Sequence, residues 1–399
     1  MKENKKCPCC GSLDIIETGF ELDEKTSDVC KQVLEETYDI DPDTNEYVMK
    51  KDERGKPLLA IERIGEEWNK LFTKGKHPGS LFKFLTDSGW IKIYPEIDNM
   101  VNDLEGDEWT GMKGVPQEPE YHPEGNLCEH IFQSLESAAK ISDREDFSPK
   151  DRTVLLLSAL CHDLGKATTT RKEIKDGTER ITSNEHDKAG VPLTRSLIDR
   201  MGIESVVGKG LADEVASLVE YHMIHIDGYK PETAKQNIYQ IADKVNPATI
   251  NMLTRLMEVD HSARVAPEGS EFPSRPTGLP EMAKQMREDA ENKGVLDAPL
   301  KGFYKQKAGP IVDLIRDPSQ RKFIGEIQRQ IRDEQIKGKK SKIQSEEDAF
   351  DFARGQSAKM VIGDWIDTKN DIIDGLGIDP ITQGPMIGQI ISDLQNAYS

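Results

Sequence analysis

The sequence predicts a mainly α protein, and two features carry the prediction. Leu, Ile and Val recur through most of the chain at the three- and four-residue spacing of an amphipathic helix. The clearest of these stripes are bracketed by helix signals, with Ser, Asn or Pro in front and Gly behind. At 399 residues the chain exceeds one compact core, so several units are expected. The pattern divides into a small Cys-containing N-terminal module at 1–77, a central helical domain at 78–265 and a helical C-terminal region at 266–399.

The formal charge of −19 argues against a protein that coats nucleic acid indiscriminately, because phosphate backbones reward basic surfaces. A local basic track between Arg321 and Lys342, net +5, is the exception; it reads as a solvated helix face or as a contact for RNA. No apolar run approaches a membrane span, and the opening MKENKKCPCC lacks the apolar core of a signal peptide. A cytoplasmic protein without a membrane partner is expected.

In the N-terminal module, Cys7 and Cys10 stand at C-x-x-C spacing before a glycine, like one knuckle of a structural zinc site. A partner knuckle is missing, although Cys30 offers a third thiolate; a reduced, metal-free cysteine cluster is the plainer reading. The stretches DIDPDTNEY and KKDERGKP are turn-rich and suit a small β-containing module or a loosely ordered appendage. Cys128 and Cys161 sit in apolar helical context as small core residues.

The central domain opens with SLFKFLTDSGW, a predicted helix with Leu81, Phe82 and Leu85 on one face and Gly89 at its end. A second helix, about 126–139, buries Leu127, Ile131 and Leu135, with His130 beside that stripe. A third starts at Ser148-Pro149, a cap followed by a first-turn proline, and runs to Gly165. It is apolar almost all round, yet carries His162 and Asp163 on the same faces as Leu155, Ala159, Leu156 and Leu160. One such pair could be a hydrogen-bonded core feature. The oddity recurs, however. A helix expected to start at Asn246-Pro247 continues its Ile250, Leu253, Met257 stripe onto Asp260 and Arg264, and LADEVASLVEYHMIH leads from Leu218 to His222 and His225.

Buried imidazoles and carboxylates from several helices need a compensating charge, and a divalent metal supplies it. An N/O donor set suits hydrolytic Mn, Ni, Mg, Fe or Zn better than a structural thiolate site. Lys166 and Arg264 stand where they would neutralise charge on a phosphoryl group.

The order His130, His162-Asp163, Asp260 resembles the His, His-Asp, Asp signature of the HD-superfamily metal-dependent phosphohydrolases, with LCHDLGK a typical form. GVPQEPEYHPEGNLCEH, LCHDLGKATT, NEHDKAG, VEYHMIHI and LTRLMEVDHSAR, in that order, are similar to the HD domain of bacterial CCA-adding tRNA nucleotidyltransferases, over roughly 78–265. The resemblance implies an HD-domain helical bundle with His130, His162, Asp163 and Asp260 as metal ligands. Asp163, Lys166 and Arg264 become the catalytic groups, and His186 and His222 hold a second metal or the phosphate. His122 either lines the pocket or shapes a turn. The implied activity is metal-dependent hydrolysis of a phosphomonoester or 2′,3′-cyclic phosphate on a nucleotide or RNA end. A nucleotide- or tRNA-binding protein with a little-used HD pocket is the alternative, and a dNTP triphosphohydrolase matches the motifs less well. Residues 1–77 lack the glycine pair and strand-borne Asp-x-Asp motif of the nucleotidyltransferase head, so nucleotide addition is not expected. The C-terminal GLGIDPITQGPMIGQIISDLQNA resembles the closing helix of that family, which implies tRNA contact there.

Overall fold

Helices form where the apolar spacing predicts them, and short antiparallel hairpins fill gaps between them. The computed structural model describes residues 24–102, 114–175, 177–224 and 234–298, together with Glu334. The chain divides into two units, Met1–Asp297 and Ala298–Ser399, and every element named below lies in the first. Cys7, Cys10, His225 and the basic track, Glu334 apart, lie outside the described residues.

α1 (Glu24–Thr37) leads into a hairpin, β1 (Tyr38–Ile40) against β2 (Tyr47–Met49), in which Tyr38 pairs with Met49 and Ile40 with Tyr47. The Asp41 carboxylate accepts from the N–H groups of Asp43 and Thr44, which turns the chain in DIDPDTNEY. α2 (Ile61–Lys74), α3 (Leu81–Ser88) and α4 (Pro95–Asn102) follow. Gly89 ends α3 at φ 78°, as expected from its position. Trp68 of α2 stacks on Phe72 and donates its Nε1–H to the Tyr94 hydroxyl, joining α2 to the approach of α4.

α5 (Leu127–Arg144) and α6 (Pro149–Cys161) form an antiparallel pair. Asn126 and Ser148 cap them, accepting from the N–H groups of Glu129 and Asp151. Every residue of α6 from Arg152 to Cys161 is buried, which explains its nearly uniform apolar sequence. The chain then passes through α7 (Lys166–Thr169), the hairpin β3 (Thr170–Lys175) and β4 (Thr178–Ser183), α8 (His186–Met201), α9 (Glu204–Val207) and α10 (Leu211–Tyr221). α11 (Ala234–Val245), α12 (Ile250–Ser262) and α13 (Glu281–Asn292) complete the described part. Packing is closest between α8 and α10, α5 and α6, and α5 and α12. α13 buries Ala283, Met286 and Ala290, packs on α12, and the Asn251 N–H donates to Leu296 beyond it.

Two expectations change in detail. The helix carrying Asp260 does not start at Asn246-Pro247; it starts at Ile250, where the extended Thr249 accepts from the Met252 N–H and satisfies the free end of the helix. The β3–β4 hairpin interrupts a domain expected to be helical throughout. Its signal was present in the Asp176-Gly177 dipeptide between two strand-forming runs.

Arg152 ties the N-terminal helices to this bundle. It is buried and donates to the carbonyls of Phe72 and Gly75 at the end of α2 and of Ala139 in α5, besides pairing with Asp143. Replacing it by Met keeps the apolar stem but takes the donor from the Phe72 and Gly75 carbonyls at the end of α2, at roughly 1–3 kcal/mol for each that stays dry, while the Ala139 carbonyl keeps its bond within α5. Arg152→Met is therefore expected to lower stability by about 2–4 kcal/mol. Urea unfolding of the two proteins checks this; an unchanged midpoint would refute it.

Candidate metal centre

Helix ends bring six of the predicted side chains together. His130 stands in the first turn of α5, and His162 and Asp163 form the turn that follows α6. His186 opens α8, His222 closes α10, and Asp260 lies in the last turn of α12. His130, His162, Asp163, His222 and Asp260 are buried, and His186 is nearly so.

Asp163 faces both ways. Its Oδ2 lies 3.3 Å from His162 Nε2 and 3.6 Å from His130 Nε2, and Asp260 Oδ1 lies 3.2 Å from the same His130 nitrogen. On the other side its Oδ1 lies 3.2 Å from His186 Nε2 and 3.8 Å from His222 Nε2. The residues thus form two groups, each able to hold an ion, that share one carboxylate.

The tautomers follow from what each Nδ1 touches. His162 donates from Nδ1 to the Ala159 carbonyl at 2.9 Å, His186 to Ser183 at 2.8 Å and His222 to Val219 at 2.7 Å. His130 donates to the Glu124 carboxylate at 2.7 Å. A carbonyl or carboxylate oxygen only accepts, so in each neutral ring the lone pair is at Nε2. Nε2 of His130 then meets Nε2 of His162 at 3.2 Å, and Nε2 of His186 meets that of His222 at 3.2 Å. Lone pairs so placed repel unless a proton or a cation lies between them. Donor atoms bound to one ion at about 2.0–2.2 Å sit about 3.0–3.5 Å apart, the spacing seen here. Asp163 Oδ1 is buried without a hydrogen bond, an orphaned acceptor of the kind a cation satisfies. The donor set fits a borderline or hard divalent ion.

Neighbouring charges agree with this. Burial would raise the Asp163 carboxyl, but the Lys166 ammonium and the His162 ring hold it well below the usual range. Arg264 and His130 do the same for Asp260 against its burial. Burial also disfavours a charged His130, yet hydrogen bonds to Asp260 and Glu124 outweigh it and lift the ring to about 9. His222 is pushed down to about 3, first by burial and then by the His186 and His162 rings.

Lys166 reaches this centre from within. Its Nζ is 2.7 Å from Asp163 Oδ2, 2.8 Å from Gln117 Oε1 and 3.4 Å from His122 Nε2, so its three protons are engaged by the protein. The sequence led to the expectation that Lys166 neutralises charge on a substrate; in the structure its ammonium is engaged by Asp163, Gln117 and His122. Arg264 binds both oxygens of Asp260 through Nη2, at 2.7 and 2.9 Å, while its Nε has no partner. His122 turns inward onto Glu124. Glu124 and Gln117 escaped the sequence reading because nothing in their spacing marks them; a carboxylate two residues after one histidine and six before another becomes legible only once the loop folds. Cys30 lies half-buried on α1 with a free thiol, and among the described residues no group able to hold a metal includes it.

The two groups are held together by close backbone approach. A Cβ on Gly165 would fall 2.0 Å from the His186 carbonyl oxygen and 2.7 Å from the Gly190 nitrogen. The turn after Asp163 can therefore lie against the start of α8 only with glycine at this position.

Residues 127–248 match the HD domain family. The match spans His130, His162, Asp163, His186 and His222 and stops before Asp260, which α12 brings in. The chain is 26% identical over 273 residues to a multifunctional CCA protein of Mannheimia succiniciproducens, covering 67% of this chain and 58% of that one. It is 26% identical over 254 residues to a multifunctional CCA protein of Pasteurella multocida (62% and 52%) and 27% over 239 residues to one of Acinetobacter baumannii (59% and 51%). The chain thus spans between half and three-fifths of these relatives. The resemblance read from the motifs is borne out, as is the mainly α fold. Among the described residues no helix is long and apolar enough to cross a membrane.

Two measurements probe the site. Gly165→Ala is expected to lower stability by about 1–3 kcal/mol and to separate His186 from Asp163, weakening metal binding with it; unchanged stability and metal content would contradict the close approach. In the metal-free protein the raised pKa of His130 stabilises the fold fully below pH 6.5, and that contribution is lost as pH rises through about 9. The unfolding midpoint of the metal-free protein is therefore expected to fall between pH 6.5 and 9, and His130→Gln to abolish that fall.

Proposed function

We propose that this protein is a metal-dependent phosphohydrolase that acts on a phosphomonoester or 2′,3′-cyclic phosphate at the end of a nucleotide or RNA. The observation that carries the reading is Asp163, a buried carboxylate whose two oxygens face separate groups of imidazole nitrogens. Such an arrangement has little structural rationale, since buried charge paired only within the protein costs stability. His130, His162, Asp163 and Asp260 would hold one divalent ion, and Asp163, His186 and His222 a second. Ions held there supply Lewis acidity to a phosphoryl oxygen and acidify water for attack.

The protein's own groups do the rest. Lys166, Gln117 and His122 fix Asp163 from behind, so that its free oxygen keeps one direction. Carbonyls at Ala159, Ser183 and Val219 hold three rings with Nε2 forward. Arg264, whose guanidinium pairs with Asp260, would be a cation beside an anionic phosphoryl group. The motif resemblance to the HD domain of CCA-adding tRNA nucleotidyltransferases supports an RNA end as the substrate and tRNA as a partner, contacted through the C-terminal region, 266–399. The basic track at 321–342 would carry that contact. Cys30, Cys128 and Cys161 form no disulfide, which suits a reducing cytoplasmic setting.

The test is hydrolysis by purified protein with Mn, Ni, Mg or Zn, wild type beside Asp163→Asn. Substrates are 2′,3′-cyclic AMP, 2′-AMP, 3′-AMP and bis-p-nitrophenyl phosphate. Metal-dependent turnover that falls by more than about 10²-fold in the variant is expected. Absence of turnover by a folded, metal-loaded wild type would reject hydrolysis of these esters and favour the nucleotide- or tRNA-binding alternative.

A further inference from the structure

A third cluster of metal-type donors lies behind the first group: His122, Glu124 and His130, all but fully buried. Its distances set it apart. Glu124 Oε1 is 2.8 Å from His122 Nδ1 and 2.7 Å from His130 Nδ1, the lengths of charge-assisted hydrogen bonds, whereas the facing Nε2 atoms elsewhere stand 3.2 Å apart. One ionised carboxylate oxygen accepts from two imidazole N–H groups.

Glu124 itself is fully buried, and burial should raise its carboxyl, yet the two ring N–H groups hold it down at about 2. His122 is kept neutral, at about 3, by burial and by the Lys166 ammonium next to its Nε2. Its ring packs edge-on against His130 at a centroid separation of 4.9 Å, so it both donates to Glu124 and walls in the ring beside it. The hydrogen bonds of Glu124 Oε1 run to His122 and to His130, on the side of the first group.

We infer that Glu124 is the positioning residue of the His130 half-site, fixing the His130 ring with its proton on Nδ1 and its Nε2 directed at the ion. The inference rests on the proposed metal reading of that site. The other three ring ligands take this support from main-chain carbonyls, which carry no full charge. His130 alone takes it from a carboxylate, so its Nε2 is the most basic of the four and the one whose orientation a side-chain substitution removes. The consequence is asymmetric: losing Glu124 weakens one ion and leaves the other.

Metal content and affinity are measured with Zn and Mn on the full chain for wild type, Glu124→Ala, the isosteric Glu124→Gln and His186→Gln, with thermal unfolding of each. Wild type is expected to bind two ions. Both Glu124 variants are expected to lose roughly 10- to 100-fold affinity for one ion and to keep the other at wild-type affinity. His186→Gln is expected to keep the ion that the Glu124 variants lose. Equal loss of both ions, or no loss, would overturn the role of Glu124 while leaving the metal reading intact. A wild type that binds no ion would overturn the metal reading and this inference with it. A second readout needs no variant: long-range ¹H–¹⁵N spectra of Zn-loaded wild type should show the His130 proton on Nδ1. A proton on Nε2 there would reject the inference even if the variants failed to fold.

Discussion

Ionised carboxylates do not sit in a hydrocarbon interior without compensation, and this molecule buries three of them, Glu124, Asp163 and Asp260, within one cluster of helix ends. Each is answered on its rear side by the protein: Glu124 by two imidazole N–H groups, Asp163 by Lys166, Asp260 by Arg264. Both oxygens of Asp163 and Oδ1 of Asp260, with four imidazole nitrogens, converge into two groups. The helical scaffold is organised around keeping that convergence.

Much of the surrounding structure serves the loop that carries Gln117, His122 and Glu124. Arg180 of the β3–β4 hairpin pairs with Glu118 and Glu120, and the Ile181 N–H donates to Glu118. From the other side Arg275 donates to the Glu120 carbonyl and lies over the Tyr121 ring. A loop without regular structure is thereby clasped from both flanks, which is how an irregular segment can present a buried carboxylate with fixed geometry. The hairpin, foreign to an otherwise helical domain, supplies one of the clasps. Arg152 and Gly165 act further out, one joining the N-terminal helices to the bundle and the other letting two elements touch.

What could be read from residues and what could not divides along physical lines. The stripe of Leu127, Ile131 and Leu135, the caps at Asn126 and Ser148 and the stop at Gly89 are local, because a helix is specified by neighbours within one or two turns. His162, Asp163 and Asp260 stood out because polar groups on apolar faces contradict the local pattern. The start of α12 departs from the sequence expectation because Asn246-Pro247 carries a strong local signal that Thr249, two residues on, overrides. The contacts of Lys166 were not legible because its acceptors, Gln117 and His122, lie more than forty residues away in the chain.

The chain's own order of apolar stripes, caps and out-of-place polar residues was enough to specify the helices and to nominate the His and Asp side chains. Which oxygen of Asp163 faces which group, which nitrogen of each histidine is protonated and the presence of Glu124 behind His130 came from the fold. Those properties depend on hydrogen bonds between segments distant in sequence, and a one-dimensional pattern holds no record of which distant acceptor a ring nitrogen will meet.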